Sequence, residues 1–168
     1  MTDSAAWRRA ADADLDAILA VQARVHTIAP ESRAVFASKR EAFPSGTLVF
    51  DPGGAVLGYG IFHPGTVGDV PALHALPFRI PERPDCLFIH DVALLPEARG
   101  RGGARVFVAL ARHEALALGL GRLALVSVYG TVPIWSRLGF AVRTPSRGAA
   151  KLHPYGETAR YMTSEIGR

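Results

Sequence analysis

The segment Leu94-Leu95-Pro96-Glu97-Ala98-Arg99-Gly100-Arg101-Gly102-Gly103-Ala104 constrains this chain more than any other. An apolar, strand-like run, Leu87 to Leu94, enters it, and an apolar helical pattern from about Ala104 to Leu118 leaves it. A strand, a glycine-rich basic turn and a helix together present unpaired backbone N–H groups at the helix start. The helix dipole adds a partial positive charge at the same place, so the turn is an anion site suited to phosphate. Gly100, Gly102 and Gly103 let the backbone come close to a ligand, and Arg99 and Arg101 add charged donors.

Three glycine-rich patterns compete for this turn. A P-loop needs Lys-Ser or Lys-Thr after its second glycine, and neither follows here. The dinucleotide fingerprint Gly-x-Gly-x-x-Gly needs a small third residue for helix packing, and Arg105 occupies that position. The pattern Arg/Gln-x-x-Gly-x-Gly/Ala is matched at every defined place by Arg99 to Ala104.

That third pattern resembles the acyl-CoA-binding motif of the GNAT superfamily of N-acetyltransferases. Val92-Ala93-Leu94-Leu95-Pro96 is similar to the family's apolar strand end followed by proline, and Trp135-Ser136-Arg137-Leu138-Gly139-Phe140 to its later aromatic-x-x-Leu-Gly-Phe signature. Glu157 to Met162 resembles the final strand of many members. The resemblance is close over Leu87 to Val142 and looser towards both termini. It implies a mixed α/β fold: a twisted, mostly antiparallel central sheet with helices on both faces and a splay between the two central strands, expected after Val92. It also implies acetyl-CoA as co-substrate. The turn Arg99, Gly100, Arg101, Gly102, Gly103, Ala104 would hold the pyrophosphate, and Val92, Ala93 and Leu94 would hold the pantetheine arm. Trp135 would stand beside the cofactor. The activity implied is transfer of acetyl to a primary amine of a small or amino-acid-like molecule, by direct attack in a ternary complex. Homodimers are common in the family.

Transfer needs a proton acceptor for the amine and benefits from a donor for the leaving thiolate. His90 and Asp91 precede the pantetheine segment, where family members often place a base, and an imidazole suits that task near neutral pH. Successive strand residues face opposite ways, so one of the two is expected to face the site. The family's usual tyrosine acid is replaced by Trp135, whose N–H is no proton-transfer acid. A nearby asparagine is missing from Ser127-Val128-Tyr129-Gly130-Thr131 as well. Tyr129 is the candidate acid, with Ser127 as another hydroxyl. These departures keep open a CoA-binding module without catalysis. An acetyltransferase acting on a protein or on a nucleic-acid-associated target also stays open.

Composition sets the remaining bounds. A chain of 168 residues that is 49% hydrophobic is expected to form one domain over 1–168. No stretch approaches the ~20 apolar residues of a membrane span. Met1 to Arg9 has no signal-type apolar run, and the lone Cys86 has no disulfide partner in the chain. A cytoplasmic protein is expected. The net charge of +4 comes from scattered residues apart from Arg99 and Arg101, and a CoA pocket explains those two without nucleic acid. His26, His63, His74, His113 and His153 lack metal-ligand spacing such as His-x3-His, so no metal is expected.

Along the chain, a first strand is expected at Trp7 to Ala10 and helices after Asp12 and Asp14 and over Ser32 to Ala42. Strands follow at Thr47 to Phe50 and Ala55 to Phe62, joined by a tight Asp51-Pro52-Gly53-Gly54 turn. The proline-rich segment His63 to Asp85 is either an acceptor-side element or a plain surface loop, with a helical turn near Ala72 to Leu76. Later strands are expected over Leu123 to Val128, Phe140 to Val142 and Ala159 to Ile166, with a short helix from Pro133.

Overall fold

The computed structural model describes residues 6–167, so the part of the amino-terminal reading that concerns Met1 to Ala5 lies outside the described residues. Seven strands form one sheet: β1 (Trp7–Arg9), β2 (Thr47–Phe50), β3 (Gly58–Gly65), β4 (Cys86–Leu94), β5 (Arg122–Ser127), β6 (Ala141–Val142) and β7 (Arg160–Glu165). Their order across the sheet is β1-β2-β3-β4-β5-β7-β6, and β4 with β5 is the parallel pair among otherwise antiparallel neighbours. The helices are α1 (Leu15–Val25), α2 (Arg33–Ala42), α3 (Gly103–Ala117) and α4 (Val132–Arg137). Short 3₁₀ segments include Pro96–Ala98 and Ala149–Tyr155. Among the described residues no helix is long and apolar enough to cross a membrane.

The two sheet faces bury different helices because the strands alternate their apolar residues. Phe107, Val108, Ala111 and Ala115 of α3 pack on Phe50, Phe62, Leu87, Ile89, Leu123 and Leu125. Leu15, Ile18, Val21 and Phe36 of α1 and α2 pack on Val49, Tyr59, Ile61 and Ala93. Gly60 sets the approach of α3: a Cβ there would sit 2.2 Å from the Phe107 ring. Ser32 caps α2 by accepting from the Val35 N–H, which supplies one partner for the orphan donors of a helix start.

Three sequence readings are corrected here. The strand expected at Ala55 to Phe62 runs from Gly58 to Gly65. Asp51 explains its late start: its carboxylate accepts from Gly54 N–H, and the Leu57 N–H reaches back to the Phe50 carbonyl, so residues 51–57 form a wide loop rather than a tight turn. Pro64 is tolerated inside β3 because pairing with β2 ends at Ile61, which leaves that edge free of the ladder. The turn near Ala72 to Leu76 is not helical: it lies at Leu73–His74, and His74 is left-handed at φ 61°. The central splay begins earlier than Val92, since β4–β5 pairing stops at Ile89↔Leu125.

Candidate active site

The splay opens a cleft of about 750 Å³ that runs from the glycine turn to the α1–α2 connection. Past Ile89, β4 keeps β3 on one side only. The other edge of Val92 and the Leu94 N–H therefore stay free of the ladder, and both residues line the cleft. Ala93 does not: it is buried in the layer under α1 and α2.

At the turn, Gly100 (φ 76°) and Gly102 (φ 80°) adopt left-handed conformations that favour glycine. The first helical bond of α3 runs from Val106 N–H to the Gly102 carbonyl. The amides from Gly100 to Arg105 find no acceptor among the described residues. The turn is fixed from outside the cleft, because Trp7 donates its indole N–H to the Gly103 carbonyl at 3.0 Å. Trp7 also packs on Phe50 and Phe107. Arg99 folds back to donate to the Leu94 carbonyl at 3.0 Å. Arg99, Gly100, Gly102, Gly103, Ala104 and Arg105 line the cleft, while Arg101 is exposed away from it. Free amides at a helix start beside two arginines fit a pyrophosphate. Trp135 forms part of the wall, with its N–H given to Thr131 Oγ1 at 3.2 Å and its ring set edge-on to Phe140.

His90 and Asp91 both face the α1–α2 layer, against the expectation that one would. A β-bulge is the cause. β3 pairs Ile61 with Asp91 and Phe62 with Ile89, which leaves His90 as the extra residue. An extra residue resets the alternation of a strand. Leu87 and Ile89 thus point to the α3 side and Ala93 to the other, with His90 and Asp91 sharing that other side.

The two side chains enter different networks. Asp91 Oδ1 accepts from His26 Nε2 at 2.8 Å, and Oδ2 accepts from the Tyr59 hydroxyl at 2.6 Å. His26 stands at the end of α1, and its Nδ1 lies 3.2 Å from the Tyr129 hydroxyl, which also accepts from the Ile28 N–H at 3.4 Å. In the neutral ring a proton on Nε2 suits the Asp91 carboxylate, which leaves Nδ1 as the acceptor towards Tyr129. Burial pulls the His26 imidazole down, but the Asp91 hydrogen bond and charge outweigh it and leave its pKa above the ordinary histidine value. Burial pushes the Asp91 carboxyl up, and the His26 and Tyr59 hydrogen bonds override it, so Asp91 stays ionised. Tyr129 is held at φ 55° at the cleft wall, with its ring exposed.

His90 is locked instead of poised. Its Nε2 lies 2.7 Å from Lys39 Nζ and 3.0 Å from Glu31 Oε1, its side chain is 2% exposed, and Nδ1 is buried with no partner among the described residues. Burial, then the Lys39 charge, lower its pKa, so the ring is neutral. Lys39 is fully buried in an ion pair with Glu31. Glu31 is pinned by Gln22, whose side-chain amide bonds both its N–H and its carbonyl, and its second oxygen accepts from His74 N–H. Glu31→Ala leaves the Lys39 ammonium without its counter-ion, so it should lower stability by about 3 kcal/mol or more. A urea melt checks this; unchanged stability would mean that the cluster is not an ion pair.

Sequence reasoning missed His26, Tyr59, Glu31 and Lys39. His26 looked like one of several isolated histidines, and it meets Asp91 only because α1 ends above the bulge. Of the proline-rich segment His63 to Asp85, the first three residues belong to β3, and the rest reaches the cleft through Leu73.

The class of protein that this arrangement defines is an acyltransferase. The chain belongs to the Acetyltransferase (GNAT) family, whose sequence profile matches residues 14–140, and members of that family draw their acyl group from an acyl-CoA. No curated protein sequence is significantly similar to the chain. Many solved structures share the fold. The loading GNATL domain of CurA from Lyngbya majuscula aligns with a TM-score of 0.76 at 13% identity, over 95% of this chain and 96% of its own. The GphF GNAT-like decarboxylase in complex with isobutyryl-CoA aligns at 0.73 and 16% identity, over 96% and 99%. The ribosomal-protein-S18-alanine N-acetyltransferase from Escherichia coli aligns at 0.68 and 18% identity, over 96% and 94%.

Proposed function

We propose that the protein transfers an acetyl group from acetyl-CoA to a primary amine of a small molecule, by direct attack while both are bound. The observation that carries this is the chain Tyr129–His26–Asp91, backed by the buried Tyr59 and set in the cleft between the free amides of the glycine turn and the α1–α2 connection. The amides from Gly100 to Arg105, with Arg99 and Arg105, hold the pyrophosphate, and the free edge of Val92 and Leu94 holds the pantetheine arm. The thioester supplies the electrophilic carbon.

His26 Nδ1 accepts the proton that the amine loses as its nitrogen bonds to the thioester carbon. The C–S bond breaks with its electron pair on sulfur. The Tyr129 hydroxyl gives its proton to that sulfur and recovers one from His26, so the products are the amide and free CoA thiol. Asp91 holds the imidazolium that forms, as the carboxylate of a triad does. His90 and Lys39 serve here by fixing Glu31 and the bulge. A cytoplasmic location and a single domain over 1–168 are part of the same reading.

The pH profile tests the assignment. His26 must be neutral to accept, and Asp91 raises its pKa, so kcat should climb with rising pH through a midpoint above ~6.5. CoA thiol release with an amine panel, followed between pH 5.5 and 9, gives the profile. A pH-independent rate would remove His26 from the role. Binding of acetyl-CoA with no thiol release for any amine would leave a CoA-binding module.

A second reading rests on the same imidazole. Asp91 favours the protonated form of His26, which would make it a proton donor facing an acyl-CoA cleft, and GphF has this fold and is a GNAT-like decarboxylase. With a carboxylated acyl-CoA, loss of CO₂ would leave the electron pair of the broken C–C bond as a thioester enolate, and His26 would protonate its carbon. Release of CO₂ from malonyl-CoA in the absence of amine selects this reading.

A further inference from the structure

The cationic side chains that line the cleft stand at its cofactor end: Arg99 on the glycine turn, Arg105 on α3 and Arg137 on α4. The opposite end, towards the α1–α2 connection, is built differently. Val25, Ile28, Ala29, Leu73, Pro154 and Tyr155 wall it. Ile28 is a large apolar residue left 43% exposed at its mouth. The two carboxylates present are already paired, Glu31 with Lys39 and His90, and Asp91 with His26 and Tyr59. Lys39, behind Glu31, is buried and spent on that carboxylate. Arg24 and Lys151 pair with Glu97 and Asp69 on the outer surface.

The same end is fastened across its top. The segment Ala149–Tyr155 and the loop before β4 are joined by the Tyr155 hydroxyl donating to the Pro71 carbonyl at 2.8 Å and by the Lys151–Asp69 ion pair. Just before that segment, Arg147 N–H donates to the Gly68 carbonyl. These contacts tie the segments that carry Leu73 and Tyr155 to one another at this end of the cleft.

From these contacts we propose that the acceptor is a small primary amine whose remainder is apolar and carries no carboxylate, of the arylalkylamine kind. The proposal rests on the acetyl-transfer reading. The geometry of the reacting nitrogen gives the reason. That nitrogen must sit beside His26 and Tyr129, and an α-amino acid places its carboxylate two bonds away. The carboxylate would then lie among Asp91 and Glu31, where the described cationic groups beside it, His26 and Lys39, are already paired with those two carboxylates. A buried charge without a partner is strongly disfavoured. An aromatic or alkyl remainder instead covers Ile28, Leu73 and Tyr155 and removes their apolar surface from water.

Matched pairs that differ by the carboxylate alone test this: phenethylamine against phenylalanine, and tryptamine against tryptophan, with a short peptide bearing a free amino terminus as a third arm. CoA thiol release with saturating acetyl-CoA gives kcat/KM for each. The expected result is that each amine exceeds its amino acid by about 100-fold or more, and that the peptide is no faster than the amino acids. Leu73→Arg should raise the phenylalanine-to-phenethylamine ratio by about tenfold, because it supplies the missing counter-ion. A ratio near one in the unaltered protein, or fastest transfer to the peptide, overturns the proposal and leaves acetyl transfer standing. No transfer to any amine overturns both.

Discussion

Asp91→Asn is expected to lower kcat for acetyl transfer by about 10³–10⁴-fold with acetyl-CoA affinity unchanged. Asparagine keeps the size of the side chain and can still accept from the Tyr59 hydroxyl. Its amide, however, donates where the carboxylate accepted from His26 Nε2. The imidazole then holds its proton on Nδ1, facing the Tyr129 hydroxyl, and can no longer take one from the amine. The negative charge that holds His26 above its ordinary value is also gone. What activity survives should therefore show its rise at lower pH than the unaltered protein. Steady-state rates across pH, with calorimetric acetyl-CoA titrations as the control, check both parts. A loss below about tenfold would show that Asp91 holds the strand and not the imidazole.

Gly102→Val should weaken acetyl-CoA binding by about 100-fold while the chain stays folded. Gly102 has φ 80° and is the residue whose carbonyl starts α3. A β-branched residue is strained at that φ, and the strain would distort the turn that carries the amides from Gly100 to Arg105. The residue is exposed, so the cost falls on the shape of the turn rather than on the core. Gly100→Val is the companion. The Cβ position of Gly100 meets no protein atom within 4 Å, so lost affinity there reports the φ of 76° and contact with ligand. Calorimetric titration with a circular-dichroism melt separates binding from folding. Unchanged affinity in both variants would take the pyrophosphate away from this turn.

The glycine turn was readable in the sequence because all its parts are neighbours: strand, Pro96, two arginines, three glycines and the first turn of α3 lie within one short run. The apolar periodicity of α3 and the continuous apolar run of β5 were equally local. The acid–base chain was not, because His26 and Asp91 are 65 positions apart and nothing beside His26 marks it. Asp91 and Tyr129 were picked out as separate candidates, and only the fold joins them through His26. His90 drew attention as the one histidine on the critical strand, and strict alternation then allowed one of the pair to face the site. A single bulged residue, which leaves no mark in the apolar pattern of β4, put both on one side and committed His90 to Lys39 and Glu31. Trp135 lies on α4, six residues after Tyr129, whose hydroxyl stands beside His26.

A structure of the protein with CoA bound tests the central claim most directly. The account predicts the pyrophosphate on the amides between Gly100 and Arg105, the pantetheine along Val92 and Leu94, and the sulfur within hydrogen-bond reach of the Tyr129 hydroxyl. CoA seated elsewhere, or a sulfur turned away from Tyr129 and His26, would contradict it.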